Sequence, residues 1–241
     1  MDWIYLSPHL DDVTLSVGGL VWEQTAAGEK VGIWTICGGD PPPGDLSPFA
    51  AAIHQRWGVG PEAIGARRTE DIESCRVLGA EYLHFNLPDC IYRRSPQTRE
   101  HLYATEEALW IPVHLDEEVV IQQLSFQLRT KLPPGAKLVC PLTIGDHVDH
   151  RLTRAAAEQA GLPLYYYADY PYAANLDFSE SVADFQTTRF PISSAGLSAW
   201  QLAIAAHRSQ ISTFWGNLKE MEAAILSYCK HMDGFWLWKS E

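Results

Sequence analysis

From Trp3 to Leu87, short β-branched and aromatic runs alternate with longer helical ones, and this alternation constrains the fold more than any other feature. WIYLS is an apolar run ending at a Pro-His loop, and a helix is predicted over 12–27, closed by Gly28. VGIWTIC then stops at Gly38-Gly39, the stretch 62–78 is helical in pattern and ends at Gly79, and EYLHFNL reads as the next strand. Strands that alternate with helices mark right-handed βαβ units built around a parallel sheet. The expectation is an α/β, Rossmann-like fold: a mostly parallel central sheet with helices on both faces, one domain over 1–241 with a long C-terminal helical region.

The later pattern is looser. Residues 93–115 form a long excursion before a helix predicted over 116–132, which Pro133-Pro134-Gly135 breaks. KLVCPL reads as a buried strand, 148–160 as a helix ending at Gly161, and PLYYYADYPY opens with a strong strand signal. The stretch 175–195 is ambiguous, with TTRFPI a candidate edge strand, and 197–228 is helical with a break expected near Phe214-Trp215-Gly216. Gly18-Gly19 falls inside the first helix rather than in the turn before it, which argues against a dinucleotide fingerprint.

In an open parallel sheet, ligands sit beyond the carboxyl ends of the strands, so the loops after the strands are where chemistry is sought. Ser7-Pro8-His9-Leu10-Asp11-Asp12 follows the first strand, and Asp146-His147-Val148-Asp149-His150-Arg151 follows KLVCPL. Both are rich in the His and Asp that bind zinc through nitrogen and oxygen. A catalytic zinc site takes three protein ligands and leaves a position for water; His9, Asp12 and His150 supply two imidazoles and a carboxylate. Asp11 is then the base for a metal-activated water, whose pKa falls to about 7. His147, as an imidazolium, is expected to stabilise the oxyanion and protonate the leaving amine, with Asp149 orienting a histidine. The plainer reading of Asp11-Asp12 is a helix N-cap. What favours chemistry is that both clusters fall at the same edge of one sheet.

SPHLDDVTLSVGG resembles the first motif of the PIG-L/LmbE-like metal-dependent deacetylases, Pro-His-Pro-Asp-Asp, and HVDHR resembles their second, His-x-Asp-His-Arg. ARRTEDIESCRVLGAEYLHFNLPD, YYYADYPY and AAHRSQ are similar to further family segments, in the expected order over 3–211. The resemblance implies a de-N-acetylase of a glucosamine-like sugar conjugate, with His9, Asp12 and His150 as ligands to one Zn2+ (Fe2+ being the alternative), Asp11 as base and His147 as electrophile. It also implies Arg67 and Asp89 as contacts to substrate hydroxyls; Arg67 is preferred to Arg68 because Glu70 follows at plus three. His207 is expected to reach the pocket from the C-terminal helix. Two positions depart from the pattern: Leu10 stands for the usual Pro, and Val13 for a frequent Glu that would orient a ligand.

The net charge of −12 and scattered basic residues argue against nucleic acid as a partner. No basic n-region or long apolar stretch marks a signal peptide or membrane span, and five dispersed cysteines without a CxxC pair fit reduced thiols, so a cytoplasmic protein is expected. Trp3, Trp34 and Tyr165 read as core, while Trp57 and Tyr170 or Tyr172 are candidates to line the cleft. The 38–62 loop is the expected specificity element. The terminal GFWLW either packs on the domain or mediates homo-oligomerisation. Two rival functions stay open: a catalytically silent sugar-binding α/β protein, and an amidase for a different small-molecule conjugate.

Overall fold

The computed structural model describes residues 1–57 and 62–239. Seven strands form one sheet: β1 (Trp3–Ser7), β2 (Val31–Thr35), β3 (Glu81–His84), β4 (Lys137–Pro141), β5 (Leu164–Tyr167), β6 (Gln186–Phe190) and β7 (Phe235–Lys239), in the order β3-β2-β1-β4-β5-β7-β6. β3 through β5 are mutually parallel, and β7 and β6 continue the sheet antiparallel. All residues of β1 and β2 are buried, as expected of strands covered on both faces, which read as continuous apolar runs.

The helices are α1 (Asp12–Ala26), α2 (Pro48–Trp57), α3 (Ala63–Leu78), α4 (Glu118–Lys131), α5 (Val148–Gln159), α6 (Ser194–Ala206), α7 (Arg208–Phe214) and α8 (Leu218–Met232). The chain steps from β1 to β2 to β3 in one direction and from β4 to β5 in the other. Right-handed crossovers therefore put the intervening helices on opposite faces. The packing agrees: α1, α3 and α6 pack together, and α4 packs on α5. The reversal creates a switch point between the carboxyl ends of β1 and β4, where open α/β sheets bind ligands.

The structure refines three expectations. The loop over 38–62 contains α2, whose Ala50 and Ile53 join Leu10, Ile64, Ile91 and Tyr92 in a second apolar cluster; the stretch 58–61 lies outside the described residues. Burial of these side chains gives α2 a reason to form that its own pattern lacks. The C-terminal helical region is broken at His207 as well as at Trp215, and the chain returns to the sheet instead of ending helically. GFWLW supplies β7, whose Leu237 and Trp238 are buried between β5 and the edge strand β6.

Helix α1 bends at Val17 (φ −140°, ψ 18°), and the Thr14 carbonyl accepts a bond of 2.7 Å from the Trp200 indole. That approach requires Gly18, because a Cβ there would lie 2.8 Å from Trp200 Cδ1. Gly18 thus serves helix–helix packing, and Gly19 leaves room for Ile192 and for Phe235 of β7.

Candidate metal centre and cleft

Both histidine-bearing loops meet at the switch point. After β1, Ser7 Oγ donates to the His9 carbonyl at 2.6 Å and accepts from Val13 N at 3.1 Å, pinning the turn that starts α1. Asp11 occupies the N-cap position without a side-chain cap bond, and Asp12 Oδ2 accepts from His9 N at 2.7 Å, back in the loop. The cap reading therefore fails: neither carboxylate serves the amides of the helix.

Asp12 Oδ2 lies 3.0 Å from His9 Nδ1 and 3.4 Å from His150 Nε2. The far nitrogen of each ring rests on another buried carboxylate: His9 Nε2 is 3.0 Å from Asp149 Oδ2, and His150 Nδ1 is 2.6 Å from Asp169 Oδ1. When the far nitrogens carry N–H groups, the near ones turn lone pairs towards a carboxylate oxygen, an arrangement that calls for a positive charge between them. Burial depresses both imidazoles, but the carboxylates around them together outweigh it: Asp12 with Asp149 and Asp89 holds His9 well above 6.5, and Asp12 with Asp169 holds His150 at about 9. Burial raises Asp12, but His150 and His9 hold it well below the usual carboxylate range. Tetrahedral ligands about 2.0–2.2 Å from an ion stand about 3.3–3.6 Å apart, close to the spacings around Asp12. The two distances from Asp12 thus suit a shared divalent cation, and His9 also lies within 4.8 Å of carboxylate oxygens of Asp89 and Asp149. His147 also offers a ring nitrogen within 4.8 Å of those of His9 and His150.

The His147 Nδ1 accepts the Asp149 N–H at 3.2 Å, which leaves Nε2 as the donor of a neutral ring. Burial, with His9 and His150 nearby, pushes His147 down to about 3, a direction that favours the neutral imidazole. Asp11 is lifted by burial to about 6, against the Arg67 guanidinium 3.3 Å away. Asp149 is fully buried and lies behind the cleft wall: it meets His9, the Cys90 amide at 3.0 Å and the Arg93 guanidinium. Arg93 in turn pairs with Glu117, which accepts a 2.5 Å bond from the Tyr103 hydroxyl.

A cleft of about 320 Å³ opens over these groups, lined by His9, Asp11, Asp12, His147 and His150 at its floor. Arg67 and Asp89 line it too; Arg67 is buried and lies 4.5 Å from the Trp57 ring, whereas Arg68 is spent on Gly38 and Asp40 at the surface. Trp57 and Tyr172 are in the wall, but Tyr170 stacks on Trp215, outside it. The helix breaks at His207 (ψ 60°), whose ring is buried and outside the lining, while Gln210 and Thr213 of α7 line the cleft. Leu10 and Val13 are both buried among apolar side chains, so the departures are apolar anchors.

Asp169, Trp110, Arg93 and Glu117 also belong to the site or its support, beyond the residues that the sequence pattern marks. Asp169 carries a signal, an acid two residues past a strand, in the YYYADYPY run. Arg93 and Glu117 sit in or beside the irregular excursion, and nothing in their spacing links them.

A parallel sheet whose switch point holds carboxylate-backed imidazoles beside a further buried acid, under a cleft, is the layout of an α/β amidohydrolase. The chain belongs to the GlcNAc-PI de-N-acetylase (PIG-L) family, whose profile matches residues 4–161. It is 30% identical over 189 residues to a 2′-N-acetylparomamine deacetylase of Niallia circulans, covering 70% of this chain and 67% of that protein. It also superposes on the A40926 pseudoaglycone deacetylase Dbv21 with a TM-score of 0.76 at 27% identity, over 99% of this chain and 96% of that one. The fold alone is shared with a zinc-inhibited form of a teicoplanin deacetylase, with a TM-score of 0.84, 24% identity and coverage of 99% and 97%. No helix among the described residues is long and apolar enough to cross a membrane.

Proposed function

We propose that this chain hydrolyses the N-acetyl or a related N-acyl amide of an amino-sugar conjugate, with His9, Asp12 and His150 holding one divalent cation, Zn2+ or Fe2+. The observation that carries this is the convergence of two imidazoles on Asp12, each backed by its own buried carboxylate. When bound, the cation supplies Lewis-acid charge for the acyl carbonyl and acidifies water. Asp11, near neutrality at about 6, is suited to take the proton of the attacking water at neutral pH. Arg67 restrains that carboxylate from rising further. His147 donates a hydrogen bond from Nε2 to the developing oxyanion and keeps its proton, while Asp11 passes the proton it took from the water on to the departing nitrogen. The new C–O bond and the broken C–N bond leave acetate and a free amine. Asp149 and Asp169 keep the rings in their tautomers and orientation, and Arg67 and Asp89 bind sugar hydroxyls. Relatives named as deacetylases of 2′-N-acetylparomamine and of A40926 pseudoaglycone support the reaction type.

The test is acetate and amine release from N-acetylglucosaminides by the metal-loaded protein. Release should vanish on chelation and return with Zn2+ or Fe2+, and comparing the two ions identifies the more active one. Absence of release from every N-acyl amino sugar, with metal bound, sinks the proposal.

A further inference from the structure

The mouth of the cleft carries apolar surface for which the chemistry at its floor has no use. Trp110 is 37% exposed, its neighbour Ile111 43% and Phe214 36%. Trp110 and Phe214 line the cleft, one from the excursion between β3 and α4, the other from the end of α7. Single exposed apolar side chains are ordinary, but several gathered at one pocket mark a binding surface. Trp110 is also held in place, edge-on to His147 at 5.3 Å and to Tyr172 at 5.8 Å between ring centroids. A rigid indole beside the reacting centre is a stacking platform.

The charges of the cleft are largely matched internally. Asp11 meets Arg67 at 3.3 Å, Asp12 meets the two imidazoles, and Glu106 at the rim meets Arg56 at 3.9 Å. Asp89 is the acid of the lining left without a cationic side chain closer than His9, 3.8 Å away. Beyond Asp89 and the loosely paired, exposed Glu106, the lining offers an ammonium group no free carboxylate, whereas a flat apolar ligand finds an aromatic wall.

We propose that the sugar is joined to an aromatic or otherwise apolar aglycone lying on Trp110 and Phe214, making the substrate an apolar glycoside of an N-acylated amino sugar. This rests on the deacetylase reading for the reaction and adds the class of the group beyond the sugar. It excludes a polyamino sugar or a free monosaccharide as the preferred substrate.

Binding to metal-loaded Asp11→Asn protein tests it by calorimetry, without turnover. The probes are N-acetylglucosamine, its 4-nitrophenyl glycoside and a mono-N-acetylated polyamino sugar. The aryl glycoside should bind about tenfold more tightly than either of the others, the scale of one aromatic stack with its buried area. Trp110→Ala and Phe214→Ala should each cut that preference at least threefold; as two separate surface changes, one covers for the other should either fail to fold. Equal binding of the first two probes, tightest binding of the polyamino sugar, no measurable binding of the aryl glycoside, or a preference untouched in both variants overturns the inference. Acetate release by the unaltered protein is read in parallel. Preference for the aryl probe with no acetate from any of the three sinks the deacetylase reading and leaves the aglycone site standing.

Discussion

Asp169→Asn isolates the contribution of a carboxylate that touches His150 and not the cleft. Asp169 Oδ1 is 2.6 Å from His150 Nδ1, its Oδ2 accepts from Ile144 N at 3.0 Å, and both side chains are buried. Asparagine has nearly the same shape, but one of its two terminal atoms must now be a donor. If its oxygen keeps the Ile144 bond, its amide donates to His150 Nδ1 and drives the ring proton onto Nε2, the nitrogen that faces Asp12. Removing such a ring-orienting partner typically costs about 10–100-fold in metal affinity, equivalent to about 1.4–2.8 kcal/mol. If the amide turns the other way, two donors face each other at Ile144, and a buried unmade bond costs about 1–3 kcal/mol of stability. Either outcome is visible. Competition against a chromophoric chelator measures the first, and urea unfolding of the metal-free protein measures the second. Metal affinity within twofold of the parent, together with an unchanged unfolding midpoint, would refute the reasoning.

Asp11→Asn should retain the cation yet lose turnover by about 10²–10⁴-fold; an equal loss of bound metal, measured by elemental analysis, would mean that base and ligand have been interchanged. In the same assay His150→Ala should strip the metal, and a fully loaded, active variant is the contrary result. Arg93→Met leaves Asp149 and Glu117 buried without their cation, a loss of about 3–5 kcal/mol in denaturant unfolding, and a change below about 1 kcal/mol, within the range of an exposed pair, would show that the pair is not the anchor described. Gly18→Ala forces a Cβ to within 2.8 Å of Trp200 Cδ1 and should cost about 1–3 kcal/mol by overpacking; a neutral thermal shift would mean that α1 and α6 part without strain.

The order of the parallel strands, the helices between them and the two histidine-bearing loops were legible in the sequence because each depends on local pattern. A β-branched run buried on both faces, a glycine at φ +70° closing α3 after Leu78, and clustered His and Asp after two strands all signal within a few residues. Helix α2 was not legible, since it forms by laying Ala50 and Ile53 on a cluster assembled from distant segments. The place of GFWLW was likewise open until β5 and β6 were seen to bracket it.

By itself, then, the sequence determined the α/β class and which residue types stand at the strand ends. Only the tertiary structure decided which of them meet: that Asp12 faces His9 and His150, that Asp169 and Asp149 stand behind those rings, that His147 Nδ1 accepts the Asp149 amide, and that Gln210 lines the cleft. The physical reason is one of range. Backbone preference and hydrophobic period act over a few residues, whereas ring tautomers, shifted carboxyls and cleft walls are set by groups that approach only when strands far apart in the chain lie side by side.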